Sequence, residues 1–272
     1  MKADLHIHSR CSDGSDSPSE IVVKAKRNGL GCIAVTDHDA VDGTDEAIEA
    51  GKKAGLQVIA GVELSTYSVT DVHILGYRID VNNAELRGRL AALREKRLER
   101  IDAILDKLAE QGIKLDRAQI ESKDGSTGRP HVAKLLIAKG YAANMTEAFD
   151  RYLGENGSAY VPSKRMTPVE GVRLILAAGG VPVLAHPMLI KQKGRLEDLI
   201  RGLAAEGLGG IETYYPSHTQ ADIAALRGVA ARFGMITTGG SDYHGQGKAG
   251  DIGCSDWTVD RKTADVLGIK IK

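Results

Sequence analysis

The sequence predicts an α/β protein: a closed or nearly closed (β/α) barrel interrupted by an inserted helical cap. Three observations carry this expectation. Short β-rich runs alternate with helical stretches at both ends of the chain. Seven such runs occur in series, and serial alternation implies parallel strands with right-handed crossovers. From about residue 80 to about 165 the alternation stops, and only helix and loop patterns appear. The 272 residues, 42% of them hydrophobic, suffice for one large domain with an insertion. Residues 1–80 and 165–272 are therefore assigned to the barrel and 81–164 to the cap.

Each element has a local reason. Ala3-Asp4-Leu5-His6-Ile7-His8 reads as the first strand. A helix opens at Pro18-Ser19-Glu20, with Ser17 as its N-cap and Gly29 as its stop. Residues 31–36 (GCIAVT) form a buried strand, 44–54 a helix, 57–63 (QVIAGVE) a strand and 71–77 (DVHILGY) another. Residues 83–111 form one long amphipathic helix, because Leu86, Leu90, Leu93, Ile101, Ile104, Leu105 and Leu108 recur near the helical period. Shorter helices follow at 130–139 and 146–153. The alternation then resumes with a helix at 168–178, a strand at 181–185 (VPVLA), a helix at 196–206, a strand at 210–214 (GIETY), a helix at 220–233 and a last strand at 235–238.

Composition excludes several functions. Lys plus Arg and Asp plus Glu both number 36, so bulk charge does not hold this chain to nucleic acid or membrane. Aromatics make up only 4%, too few for a surface of base-stacking platforms. No apolar run approaches the ~20 residues that span a bilayer. The N-terminus lacks an apolar signal region, and the three cysteines (Cys11, Cys32, Cys254) lack C-x-x-C spacing. These features point to a reducing cytoplasm, without a membrane or an obligatory protein partner.

The histidines carry the function. Six of the eight are expected at or just past a strand's C-terminal end: His6, His8, His38, His73, His186 and His244. Asp13, Asp37, Asp39, Glu63 and Asp242 share these positions. In (β/α) barrels functional groups gather at that face. His6 and His8, two apart on a strand, point the same way and can grip one ion. Imidazole plus carboxylate without thiolate suits Mn²⁺, Zn²⁺ or Fe²⁺. One ion needs about three or four protein ligands, so this many candidates imply more than one ion. Singly, His73 could be a core histidine and Asp13 a turn residue; together the placement points to a metal centre.

The same residues resemble the motifs of the PHP (polymerase and histidinol phosphatase) phosphoesterases. The matching segments are Asp4-Leu5-His6-Ile7-His8-Ser9 with Ser12-Asp13-Gly14, Thr36-Asp37-His38-Asp39, Gly61-Val62-Glu63, His73, Ala185-His186-Pro187 and Gly240-Ser241-Asp242-Tyr243-His244. Gly128-Arg129-Pro130-His131 in the insertion is similar to the stand-alone bacterial branch, which includes phosphatases of nucleoside 3′,5′-bisphosphates and relatives that trim RNA from its 5′ end. The resemblance implies a distorted (β/α)₇ barrel, amidohydrolase-like, with three ions, usually Mn²⁺, sometimes Fe²⁺ or Zn²⁺. It implies that His6, His8, Glu63 and Asp242 hold the first ion, and that Asp13, His38 and His244 hold the second. Glu63 would bridge to a third, held also by His73 and His186. Asp37 and Asp39 are expected to orient imidazoles.

Clustered ions make hydroxide available at neutral pH and neutralise phosphoryl charge. No side-chain nucleophile is then needed, and neither a G-x-S-x-G elbow nor a cysteine phosphate loop is present. The expected reaction is attack of metal-bound hydroxide on a phosphomonoester of a small nucleotide, foremost the 3′-phosphate of a 3′,5′-bisphosphate. Exonucleolytic trimming of short RNA, histidinol-phosphate-type hydrolysis and a catalytically silent binding module are the alternatives. Ser126, Arg129 and Lys134, around a helix start, are expected to clamp a second phosphate. His218 is a further candidate to touch substrate or donate a proton. The basic residues of the long helix, Lys96, Arg97 and Arg100 among them, alternate with acids and read as a solvated face.

Overall fold

Seven strands, β1 (Ala3–Ile7), β2 (Cys32–Val35), β3 (Gln57–Tyr67), β4 (Asp71–Tyr77), β5 (Val181–Leu184), β6 (Gly210–Tyr214) and β7 (Ile236–Gly239), form one sheet in chain order. This computed structural model describes every residue except 69, 121–127, 163–164, 192–194, 246–249 and 272. The sheet curls into a distorted, nearly closed barrel. Past the end of β7, the Asp242 N–H donates to the His6 carbonyl at 2.9 Å, and the His8 N–H donates to the Tyr243 carbonyl at 2.8 Å. These two bonds join the last strand's exit to β1.

The strands are not all parallel, which corrects the expectation from sequence. β3 and β4 pair antiparallel, from Gly61 opposite Tyr77 to Tyr67 opposite Asp71, and β4 also runs antiparallel to β5. The reason is chain length: only residues 68–70 join β3 to β4, whereas a parallel crossover needs a dozen or more residues. β3 also runs four residues past Glu63, where the sequence reading ended it. Reversal places the start of β4, with His73 opposite Ser65, at the same mouth as the ends of the parallel strands.

Several helices follow their capping signals. In α1 (Pro18–Arg27) the Ser17 side chain accepts from the Glu20 N–H and Glu20 reaches back, a reciprocal capping box. α2 spans Thr44–Ala54, and Asn83 caps the long α3 (Ala84–Glu110). α4 (Arg129–Ala138) and α5 (Met145–Ala148) follow, the latter running into a π-turn at Phe149–Leu153. Then come α6 (Pro168–Ala177), α7 (Leu196–Ala205), α8 (Gln220–Arg232) and α9 (Arg261–Leu267), the last not anticipated from sequence.

Packing explains the layout. Opposite the mouth, Trp257 and Leu267 of the C-terminal segment pack with Leu5, Ala34, Leu75 and Val183, and the buried Tyr77 hydroxyl donates to the Leu5 carbonyl at 2.9 Å. Long α3 serves two cores. Leu86 and Leu90 pack with Val172 and Ile175 of α6 on the outside of the barrel. Ile101, Ile104 and Leu108 pack instead with Val132, Leu136, Tyr152 and Leu153. Full burial of a leucine such as Leu108 stabilises by about 1.5–3 kcal/mol, so the helices after α3 are held by their own apolar cluster. Among the described residues no helix is long and apolar enough to cross a membrane.

Candidate metal centre and adjoining cavity

The barrel mouth collects side chains from six of the seven strands. His6 and His8 leave β1 and its exit, His38 follows β2, Glu63 lies within β3, His73 within β4, His186 follows β5, and Asp242 and His244 follow β7. Asp13 comes from the loop after β1. Close approach needs Gly240, where a Cβ would stand 2.2 Å from the Cβ of His6. Asp39, His186 and Asp242 adopt positive φ values of 49°, 25° and 52°. Such backbone costs about 1–3 kcal/mol per non-glycine residue and clusters at functional sites.

Three sets of ligand-type atoms converge, each within 4.8 Å: His6, His8, Glu63 and Asp242; His8, Asp13, His38 and His244; and His38, Glu63 and His73. In the first, His6 Nε2 lies 3.1 Å from His8 Nε2, 3.3 Å from Glu63 Oε2 and 3.4 Å from Asp242 Oδ1. In the second, His244 Nε2 is 3.2 Å and His8 Nδ1 3.9 Å from Asp13 Oδ1. Around the third, Glu63 Oε1 lies 2.9 Å from His73 Nδ1 and 3.1 Å from His186 Nε2.

The residues fit divalent cations. His38 Nδ1 and Glu63 Oε2 are 3.0 Å apart, yet neither is hydrogen-bonded. His8 Nδ1, Asp13 Oδ1, His186 Nδ1 and His244 Nε2 are likewise buried without partners. An unsatisfied buried polar atom costs about 1–3 kcal/mol, and cations placed among these atoms would satisfy several at once. The field favours positive charge. Burial opposes a proton on His8, but Asp242 and Glu63 outweigh it and push the imidazole up to about 10. Burial would raise Asp13, Glu63 and Asp242, but the surrounding histidines hold all three well below the usual carboxylate range. His38 goes the other way: burial drives it well below an ordinary histidine, despite Glu63.

Two expectations about supporting groups need correction. Asp37 accepts from the Ser9 N–H, the Ser9 hydroxyl and the Ser12 hydroxyl, so it shapes the Ser9–Ser12 turn. Asp39 accepts from the Ser65 N–H and pairs with Arg97. Neither carboxylate has an imidazole among its described hydrogen-bond partners. The carboxylate that orients an imidazole is Glu212, missed from sequence, at 2.9 Å from His6 Nδ1. Tyr215, also missed, donates its hydroxyl to Asp242 Oδ2 at 2.9 Å. The one available signal was an acid inside the apolar strand GIETY, where burial demands a partner.

Beside the cluster lies a cavity of about 220 Å³, lined by Asp13, His38 and His73 on one side and by Arg97, Arg100, Arg129 and Arg165 on the other. Lys96 lines it too, so this stretch of α3 is not simply a solvated face, contrary to the sequence reading. Burial and nearby Arg129 and Arg165 bring Arg100 down to about 10, and burial and Arg165 lower Arg129. Asp39 and Asp71 offset Arg97 and Arg165. Arg100 and Arg129 instead donate to the carbonyls of Val161 and Leu153, at 2.8 and 3.2 Å, and Arg100 Nη2 is buried without a partner. Among the described residues, Arg100 and Arg129 therefore line the cavity without a carboxylate hydrogen-bond partner.

Of the expected substrate residues, Arg129 lines this cavity. Lys134 is exposed on α4 and is absent from the lining. Ser126 lies outside the described residues. His218 is buried beside Tyr215, with ring centroids 5.2 Å apart; its Nδ1 is 2.9 Å from the Thr213 carbonyl and its Nε2 has no partner.

Comparison with known proteins agrees with this geometry. The PHP domain model matches residues 4–134. A phosphoribosyl 1,2-cyclic phosphate 1,2-diphosphodiesterase of Eggerthella lenta is 36% identical over 264 residues, covering 90% of this chain and 95% of the relative. A 3′,5′-nucleoside bisphosphate phosphatase of Chromobacterium violaceum is 35% identical, covering 92% and 90%. A 5′-3′ exoribonuclease of Haemophilus influenzae is 35% identical, covering 89% and 90%. Among solved structures, a candidate metal-dependent phosphoesterase from Bifidobacterium adolescentis superposes with a TM-score of 0.87 at 29% identity, covering 99% of this chain and 96% of that one. A C. violaceum amidohydrolase with bound sulfate and no metal gives 0.85 at 32% identity, covering 93% and 90%.

Proposed function

This chain belongs to the PHP domain family of phosphoesterases, and from that premise we propose that it removes one phosphate from small nucleotides carrying two, nucleoside 3′,5′-bisphosphates first, at the 3′ position. The observation that carries this reading is the arginine-lined cavity beside the metal-type cluster. A substrate with a single phosphate leaves Arg100 and Arg129 without an anion, which disfavours a histidinol-phosphate-type substrate. The three converging sets of ligand-type residues disfavour a silent binding module.

We assign His6, His8, Glu63 and Asp242 to one ion, Asp13, His38 and His244 to a second, and Glu63, His73 and His186 to a third, with Mn²⁺ as first choice. Bound divalent ions would supply Lewis acidity, acidifying water and neutralising phosphoryl charge. The chain's own residues do the rest. Arg129 and Arg100 grip the phosphate that is not cleaved, since guanidinium forks match phosphate oxygens. Lys134 adds long-range positive charge from the exposed face of α4, and Ser126 belongs to the segment leading into that helix. Tyr215 holds Asp242 in place. His218 Nε2, still unpaired, is the group we assign to reach the substrate or hand over a proton.

Trimming of short RNA has its own support. A second cleft of about 160 Å³, lined by Lys96, Arg165 and the Arg89–Glu170 ion pair, adjoins the first and could follow a longer backbone. Product analysis with Mn²⁺ separates these readings: inorganic phosphate from nucleoside 5′-monophosphates and 3′,5′-bisphosphates, ring opening of a ribose 1,2-cyclic phosphate, and mononucleotides from short 5′-phosphorylated RNA. The bisphosphate should be turned over fastest. Equal rates on 5′-monophosphate and bisphosphate would sink the two-phosphate reading, and preference for RNA would replace it with the second.

A further inference from the structure

β6 brings no side chain to the metal-type cluster, yet it carries a carboxylate into the middle of the barrel. Glu212 is fully buried. Its Oε1 lies 2.9 Å from His6 Nδ1, and its Oε2 accepts the backbone N–H of His186 at 2.7 Å. An ionised carboxylate has no hydrogen to give, so Nδ1 of His6 must carry the proton in this contact. With its Nδ1 engaged by Glu212, His6 is left with Nε2 as its one ligand atom, and Nε2 faces His8, Glu63 and Asp242 at 3.1–3.4 Å. The other oxygen restrains a strained residue, since His186 sits at φ 25°.

We infer that Glu212 is a positioning residue, whose single carboxylate sets the tautomer of His6 and pins the backbone of His186, so that ligands from β1 and β5 face one metal centre. The inference rests on the metal reading of the cluster. Its chemistry is specific to a carboxylate. Both partners are donors, and only a side chain with two acceptor oxygens satisfies both. Glutamine accepts from one and sets its NH₂ against the other. Supporting partners of this kind commonly change metal affinity by about 10- to 100-fold when mutated.

Two measurements on the full chain test it. In wild-type protein loaded with diamagnetic Zn²⁺, long-range ¹H–¹⁵N spectra of the imidazoles should show His6 protonated on Nδ1; a proton on Nε2 overturns the inference even if every Glu212 variant fails to fold. In Glu212→Gln, Mn²⁺ affinity measured by chelator competition should fall about 10- to 100-fold, while the metal-free far-UV circular dichroism stays that of wild type. Wild-type affinity in the variant overturns the positioning role alone. Absence of divalent-ion binding by the wild type overturns both this inference and the metal reading on which it stands.

Discussion

Arg97, on the long helix α3, forms an ion pair with Asp39, the residue that follows His38. The pair ties a helix of the inserted segment to the loop that carries a ligand-type histidine. Asp39 also accepts the Ser65 N–H at 2.9 Å and holds a positive φ of 49°. Asp39→Asn keeps the acceptor and a side chain that tolerates this backbone, but leaves the half-buried guanidinium with only the Ser65 hydroxyl, at 3.3 Å, at a cost of about 1–3 kcal/mol. Asp39→Ala should cost about 1–2 kcal/mol more, because alanine is strained there and no longer accepts from the Ser65 N–H. Urea unfolding of both variants checks this; equal losses would show that backbone strain is not a factor.

His6→Ala and Asp242→Ala should abolish turnover while the barrel still folds. Each removes a group from a set in which four ligand-type residues meet. Metal affinity, by chelator competition, should fall together with activity, by at least the 10- to 100-fold typical of lost ligands or their partners. A variant with near-normal kcat and full metal content would remove that residue from the centre.

Arg129→Ala should lower kcat/KM for a 3′,5′-bisphosphate by about 10- to 100-fold, since a hydrogen bond to a charged group is worth about 1.5–3 kcal/mol. Lys134→Ala should stay within about fivefold, as expected of an exposed charge. Parallel kinetics on a 3′-monophosphate should show a much smaller loss for Arg129→Ala. Equal losses on both substrates would move Arg129 to the reaction centre or to folding.

The metal-free protein should lose stability as pH rises above neutrality. His8 is raised to about 10 when folded, so its contribution is whole below the unfolded value of about 6.5 and is lost as pH climbs through about 10. The depressed His38 acts only at lower pH, where its unfolded form takes up a proton. The depressed Asp13, Glu63 and Asp242 contribute stability above about pH 4 that is lost as pH falls. With a chelator present, urea midpoints should drop from pH 7 to 9.5. With saturating Mn²⁺ the drop should vanish, because metal binding releases the competing protons. A chelated protein with a flat profile would contradict this picture.

What could be read directly from the chain was whatever one segment specifies by itself. Ser17 with Glu20 and Asn83 with the Leu86 N–H are caps closed within three residues, and His6 and His8 share a face because strand geometry repeats every two residues. Most ligand-type residues were legible for the same reason: His6, His8, His38, His186, Asp242 and His244 sit at or just past a strand terminus, whereas Glu63 and His73 lie within β3 and β4. Tertiary structure decided everything that depends on residues far apart in sequence. It turned β4 around because three linking residues cannot carry a crossover, and so set His73 at the mouth from the strand's start. It joined Glu212 to His6 across 206 residues and Tyr215 to Asp242 across 27, and it turned Arg97 and Arg100 from an apparently solvated helix face into a cavity wall. Local propensity has no access to such juxtapositions, because hydrogen bonding and charge pairing depend on distance in space, and only the closed barrel brings these groups within reach of one another.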